Sequence, residues 1–90
     1  MVKVIWDNEK NSLLEKERWV TFESVENAIL EDKILDIIPH FNQEKFPNQE
    51  ILIVKINNYI HYIPFVLDEK KWELFLKTII PSRKFNKKYN

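Results

Sequence analysis

Ninety residues, 44% apolar and 31% charged, fit a single domain (residues 1–90) that can bury a core without metal or disulfide support. The chain has no cysteine, which excludes a disulfide framework, a thiol nucleophile and cysteine-ligated zinc, and no glycine, which excludes phosphate-cradling glycine loops. The formal net charge is zero, but all fourteen acids lie at or before Glu73, and residues from 77 onward carry five cations and no acid.

The first structural signal is Asp7-Asn8-Glu9-Lys10, where Asp7 or Asn8 caps a helix over the helix-forming run Glu9 to Glu17. Trp6, just before the cap, is placed to act as a hydrophobic staple. Thr21 opens a second helix in which Phe22, Val25, Ala28 and Ile29 share one face. Glu31-Asp32 closes it as solvated charge, and Ile34 to Ile38 is a short apolar run, a further strand, that Pro39 stops. Residues 41–49, FNQEKFPNQ, read as a polar loop that follows His40.

Three strands follow, at 50–56, 59–67 and 72–80. Asn57-Asn58 supplies a two-residue type I′ turn, since asparagine best replaces glycine at positive φ. That turn sets Ile56 opposite Tyr59 and Val54 opposite His61. With residues 68–71 as the second loop, Leu67 opposes Trp72 and Tyr62 opposes Lys77. One face of the sheet then carries Leu52, Val54, Ile56, Ile63, Phe65, Leu67, Trp72, Leu74, Leu76 and Ile80, a core for the two helices. Trp19 is expected in that packing, and His61 as a hydrogen-bonded core histidine. The other face carries Ile51, Ile53, Phe75, Lys55, Tyr62, Glu73 and Lys77. After Pro81, the segment Arg83 to Tyr89 is a short helix or a basic tail, with Ser82 as its turn or cap.

The fold expected is therefore α+β: two N-terminal helices on an antiparallel sheet of three to four strands, with a short C-terminal helix or tail. Lysines beside an aromatic ring on an open sheet face suit single-stranded nucleic acid, the cations taking phosphate and the ring stacking on a base. A solvated sheet face and tail is the plainer reading of the same residues. No run approaches the roughly 18 apolar residues of a membrane helix, no secretory signal pattern opens the chain, and the two histidines stand at no metal-ligand spacing. The expectation is a cytoplasmic protein with no metal and no cofactor.

The opening WDNEKNSLLEKERWVTFESVENAI resembles the N-terminus of BrnT-like toxins, with its Trp-Asp start and Val-Thr-Phe-Glu lead into the second helix. The closing TIIPSRKFNKKY is similar to that family's Ile-Ile-Ser-Ala-Arg-Lys segment and basic helix ending in tyrosine. The resemblance implies a RelE-like fold, a metal-independent endoribonuclease that blocks translation, and a ribbon-helix-helix, BrnA-like antitoxin as partner. Its substrate would be RNA, free or on the ribosome. Arg83 and Lys84 match the family's Arg-Lys pair and Tyr89 its terminal tyrosine. Where the family has Lys-His-Gly, this chain has Glu17-Arg18-Trp19, and the arginines of the family's last strand align with Leu76 and Thr78.

Cleavage by 2′-OH attack needs a proton acceptor, cations for the phosphorane and a proton for the leaving oxygen. Arg83 and Lys77 are the expected electrostatic pair, Tyr62 stacks or exchanges a proton, and Arg18 stands in for the histidine. Lys55, Lys84, Lys87, Lys88 and Tyr89 are expected to hold or steer RNA. The competing class is a module without chemistry that binds a partner through Ile51, Ile53, Phe75 and Ile79.

Overall fold

A computed structural model describes residues 2–90. The elements are β1 (Lys3–Ile5), α1 (Asn8–Arg18), α2 (Phe22–Leu30), β2 (Asp36–Pro39), β3 (Glu50–Ile56), β4 (Tyr59–Asp68), β5 (Glu73–Leu76), β6 (Ile80–Pro81) and α3 (Arg83–Tyr89). The fold class is α+β, with two N-terminal helices on a sheet as expected. The sheet itself is larger and mixed. Its order is β1-β5-β4-β3-β2, β6 also pairs with β4, and β1 runs parallel to β5. β1 was missed because three residues of alternating pattern give too short a signal, and only the distant β5 supplies its partner.

Local chemistry sets the helix ends. The Asp7 carboxylate accepts from the Glu9 and Lys10 amides, and the Thr21 hydroxyl accepts from Ser24. Trp6 does not staple α1; its ring stacks on Phe22 at 5.8 Å and so ties the strand exit to α2. Asn11 bridges the two helices, accepting from the Phe22 amide and donating to Glu23. With no glycine available, Trp19 ends α1 at φ 59°, and its indole is 81% exposed. It lies outside the core, as does Trp72, which takes φ 56° in the second hairpin loop and is 50% exposed.

The first hairpin has the expected register, with Asn57 and Asn58 at φ 52° and 64° and Val54 opposite His61. In the second, Asp68 stays paired with Glu73 while its carboxylate accepts from the Lys70 and Lys71 amides. The loop is thus 69–72 rather than 68–71, and Leu67 meets Leu74 instead of Trp72. A slip of two residues preserves the side-chain faces, so Leu74 and Leu76 still point to the helices.

The expected third strand then breaks. The Lys77 amide donates to the Pro64 carbonyl, yet Tyr62 pairs with Ile80, so Ile63 faces both Thr78 and Ile79. This one-residue bulge reverses the alternation. Ile79, 0% exposed, enters the main core, while Ile80, expected there, moves to the opposite face. Tyr62 therefore opposes Ile80 rather than Lys77.

α1 and α2 cover one sheet face, where Leu14, Val20, Phe22, Val25 and Ala28 pack on Leu52, Val54, Ile63, Phe65 and Leu76. The second face is not open. α3, capped by Ser82, lays Phe85 and Tyr89 over Ile51, Ile53 and Ile60. Ile51 and Ile53 are fully buried there and Ile79 lies in the other core, so the expected apolar interface patch does not exist as a surface.

The bulge makes a directional prediction. Deleting Thr78 restores one-to-one pairing and leaves Ile79 in the core, whereas deleting Ile79 puts a threonine there. Urea denaturation should find the Ile79 deletion less stable than the Thr78 deletion by about 2–4 kcal/mol, the range for losing a buried aliphatic side chain.

Candidate functional site

Among the described residues the second face keeps a groove of about 360 Å³ lined by His40, Phe41, Phe46, Gln49, Tyr62, Pro64, Lys77, Thr78 and Ile80, beside a second opening of about 330 Å³ that Lys77 shares with Ile5, Val66, Asp68, Glu73 and Phe75. The bulge makes the groove. A regular strand presents alternate residues on one face, and here Lys77, Thr78 and Ile80 all line the same groove. The opposite wall comes from the loop after β2. Asn42 accepts from Lys45 through its side chain and from Phe46 through its carbonyl, which folds Phe46 back to pack against His40, tilted by 39° at 4.6 Å.

The aromatic groups form a continuous set. Phe41 meets Tyr62 edge-on at 5.3 Å, and Phe85 of α3 lies 6.3 Å from Phe41 and 6.0 Å from Tyr62. His40 is buried, and its Nδ1 accepts from the Asn42 amide. In the neutral ring the remaining proton is then on Nε2, so His40 is set up as a donor rather than a proton acceptor.

The sequence-predicted residues divide between locations. Lys77 and Tyr62 line the groove together. Arg83 opens α3, which borders the groove through Phe85, and Lys84, Lys87 and Lys88 are exposed on the same helix. Lys55 is exposed on this face at the hairpin end, opposite Ile60. Among the described residues the one ion pair is Lys33–Glu31 at 3.2 Å, so these cations have no carboxylate partner. Lys77 rests its ammonium 5.0 Å above the Phe75 ring, and Lys88 lies 5.3 Å above Tyr89.

Two residues are engaged elsewhere. Arg18 ends α1, on the helix side of the sheet, and donates from Nη1 to the Ile79 carbonyl at 2.9 Å. It serves the backbone at the bulge and does not line the groove. Tyr89 packs its ring on the second core and donates its hydroxyl to Asp36 at 2.8 Å. That bond, with the carboxylate's burden on a phenolate beside it, holds the Tyr89 pKa above its ordinary value.

Sequence reasoning did not place Phe41, Phe46, Gln49 and Thr78 in a site. The two phenylalanines in an otherwise polar loop were the available signal. Thr78 gave none, because its position depends on the bulge. Among the described residues no cluster of three or more histidines and acids forms a metal site, and no helix is long and apolar enough to cross a membrane. No family model, curated protein or solved structure matches the chain.

His61 lies in the main core side of the hairpin, where its Nδ1–H donates to the Tyr59 carbonyl at 2.9 Å. Burial, reinforced by the nearby Arg18 charge, lowers its pKa against the opposing effect of that carbonyl. A lowered folded-state pKa means that the unfolded chain takes up the proton first. The stability from neutral His61 is fully present above about pH 6.5 and is lost as pH falls toward the lowered value. Urea midpoints measured from pH 7.5 to 5 should fall in the wild type, and His61→Asn should remove that part of the slope.

Proposed function

We propose that the protein is the toxin of a type II toxin–antitoxin pair, a metal-independent endoribonuclease of RelE-like fold that inhibits translation. The observation that carries this reading is the meeting of Lys77 and Tyr62 in one groove, bordered by a helix whose cations have no acidic partner among the described residues. The element order supports it too: two helices, then antiparallel strands and a short basic helix, follow the order on which the family resemblance rests.

In this mechanism the 2′-oxygen attacks the adjacent phosphorus, the P–O5′ bond breaks, and a 2′,3′-cyclic phosphate and a 5′-hydroxyl result. Lys77 and Arg83 stabilise charge building on the phosphorane oxygens. The 2′-hydroxyl loses its proton to water and the leaving 5′-oxygen takes one up from water, while Tyr62 stacks on a base or relays the proton and the His40 Nε2–H hydrogen-bonds to the leaving oxygen. Lys55, Lys84, Lys87 and Lys88 attract the backbone without touching the reacting atoms. A ribbon-helix-helix antitoxin would silence the toxin by covering Lys77, Arg83 and the outer side of α3.

A second reading, a binding module without chemistry, has one observation in its favour: Lys77 is the one cation among the groove-lining residues. The two readings separate on induced expression of the free protein, followed by growth and RNA integrity. An endoribonuclease arrests growth and fragments RNA; a binding module leaves RNA intact.

Variants sharpen the comparison. Lys77→Ala should lower cleavage by roughly 10²–10³, the effect of removing one preorganised charge stabiliser, with an unchanged circular dichroism spectrum. Arg83→Ala should act in the same direction. Arg18→Ala should behave differently, losing about 1 kcal/mol of stability with its bond to the Ile79 carbonyl while cleavage by the folded protein persists. Full activity in folded Lys77→Ala and Arg83→Ala proteins would remove the groove from the mechanism.

A further inference from the structure

We infer that the groove is a pocket for one unpaired nucleobase, adenine by preference, in which Gln49 and Thr78 read the base edge. The inference rests on the RNA-binding reading above and adds to it a base-recognition role for Phe41, Gln49 and Thr78, which take no part in the proposed chemistry.

Size and wall chemistry lead there. A volume of about 360 Å³ stands near the lower end of the roughly 300–1,000 Å³ typical of small-ligand pockets, enough for a nucleoside and too little for a helix of a partner. Phe41 is 59% exposed at the rim, an expensive position for a phenylalanine. Its ring is nonetheless fixed, edge-on to Tyr62 with an interplanar angle of 77° and backed by Phe85. A positioned, exposed ring beside a second aromatic pair, His40 and Phe46, is a stacking platform.

The polar groups are few and free. Among the described residues, neither the Gln49 amide nor the Thr78 hydroxyl makes a side-chain hydrogen bond, although the Gln49 backbone is paired at both N–H and C=O. A primary amide offers one donor and one acceptor side by side, which matches the adjacent amino group and ring nitrogen of adenine. The larger purine also gains more from stacking than a pyrimidine does.

Charge selects a nucleotide over an apolar anchor from a protein. Lys77 lines the groove, whose described lining holds no carboxylate, although its ammonium rests over Phe75 toward the adjoining opening where Asp68 and Glu73 lie. Arg83, Lys84, Lys87 and Lys88 stand on the bordering helix without acidic partners among the described residues. A base brings phosphates to meet those cations, whereas an inserted leucine or phenylalanine brings no anion.

Fluorescence anisotropy with 5′-labelled hexaribonucleotides of A, C and U tests this on the full-length protein. The oligo-A should bind tightest. Phe41→Ala should weaken binding to every oligonucleotide by roughly 5- to 100-fold, the loss of one aromatic stack. Gln49→Ala should reduce the preference for A over U to the part that stacking supplies while sparing most of the affinity for U. Thr78→Val, which removes only a hydroxyl from an isosteric side chain, should reduce the preference without disturbing the fold, and it secures the test if Phe41→Ala misfolds. Lys87→Ala with Lys88→Ala should weaken all three equally and flatten the salt dependence. Equal binding of A, C and U that Phe41→Ala, Gln49→Ala and Thr78→Val leave unchanged would overturn the base pocket while RNA binding stood. Failure of the wild type to bind any of the three would overturn the RNA reading together with the pocket.

Discussion

One extra residue opposite Ile63 governs this structure. Without it, residues after Leu76 would continue to alternate, with Thr78 and Ile80 toward the helices and Ile79 toward the opposite face. The bulge inverts that order. Ile79 fills the main core, and Lys77, Thr78 and Ile80 gather along one groove. It also releases the Ile79 carbonyl from the sheet ladder, and Arg18, at the end of α1, donates to it. A buried or half-buried carbonyl left without a donor is costly. Packing, backbone satisfaction and groove shape therefore depend on a single local departure from strand geometry.

The lack of glycine explains much of the remaining detail. Six described residues have positive φ, and they are Trp19, Asp32, Asn48, Asn57, Asn58 and Trp72. Asparagine and aspartate tolerate that region because their short side chains bond locally, but tryptophan carries its full steric penalty. Both tryptophans sit where an ordinary chain would place glycine, after a helix and within a hairpin loop. Trp19 at least has a backbone reason: its carbonyl accepts from the Asn57 side chain at 2.9 Å, joining the end of α1 to the first hairpin turn. For Trp72 the pairing of its carbonyl with the Lys3 amide links the loop to β1.

Short-range signals made the N-terminal half readable. Asp7, Thr21 and Ser82 cap helices as their chemistry requires, and Asn57-Asn58 fixes the first hairpin register residue by residue. The second hairpin's register lies two residues from the one its sequence suggests, because Asp68 pairs in a strand and nucleates a turn at once. The faces survive that shift through parity alone. The bulge was not legible, since nothing in Lys-Thr-Ile-Ile distinguishes an interrupted strand from a regular one. β1 and the docking of α3 depend on contacts between distant parts of the chain, which periodicity does not encode. As a result Lys77 and Tyr62, expected opposite each other on an open sheet face, line one groove without pairing, while Arg18, expected with them by resemblance, is held on the other side.

The charge polarity of the chain finds its physical meaning in α3. Seven residues are too few for a helix to persist in water by propensity alone. α3 is held instead by Phe85 and Tyr89, four apart on one face, by the Asn86 side chain accepting from the Ile60 amide, and by the Tyr89 hydroxyl on Asp36. The same attachment fixes where Lys84, Lys87 and Lys88 project. Those cations would be a diffuse cloud on a free tail, and on the docked helix they become a fixed field beside the groove. Tyr89 accordingly contributes to any anion bound there without touching it, through the orientation it gives its neighbours. Tyr89, grouped with the basic residues in the sequence, is in the folded chain what holds those residues in place.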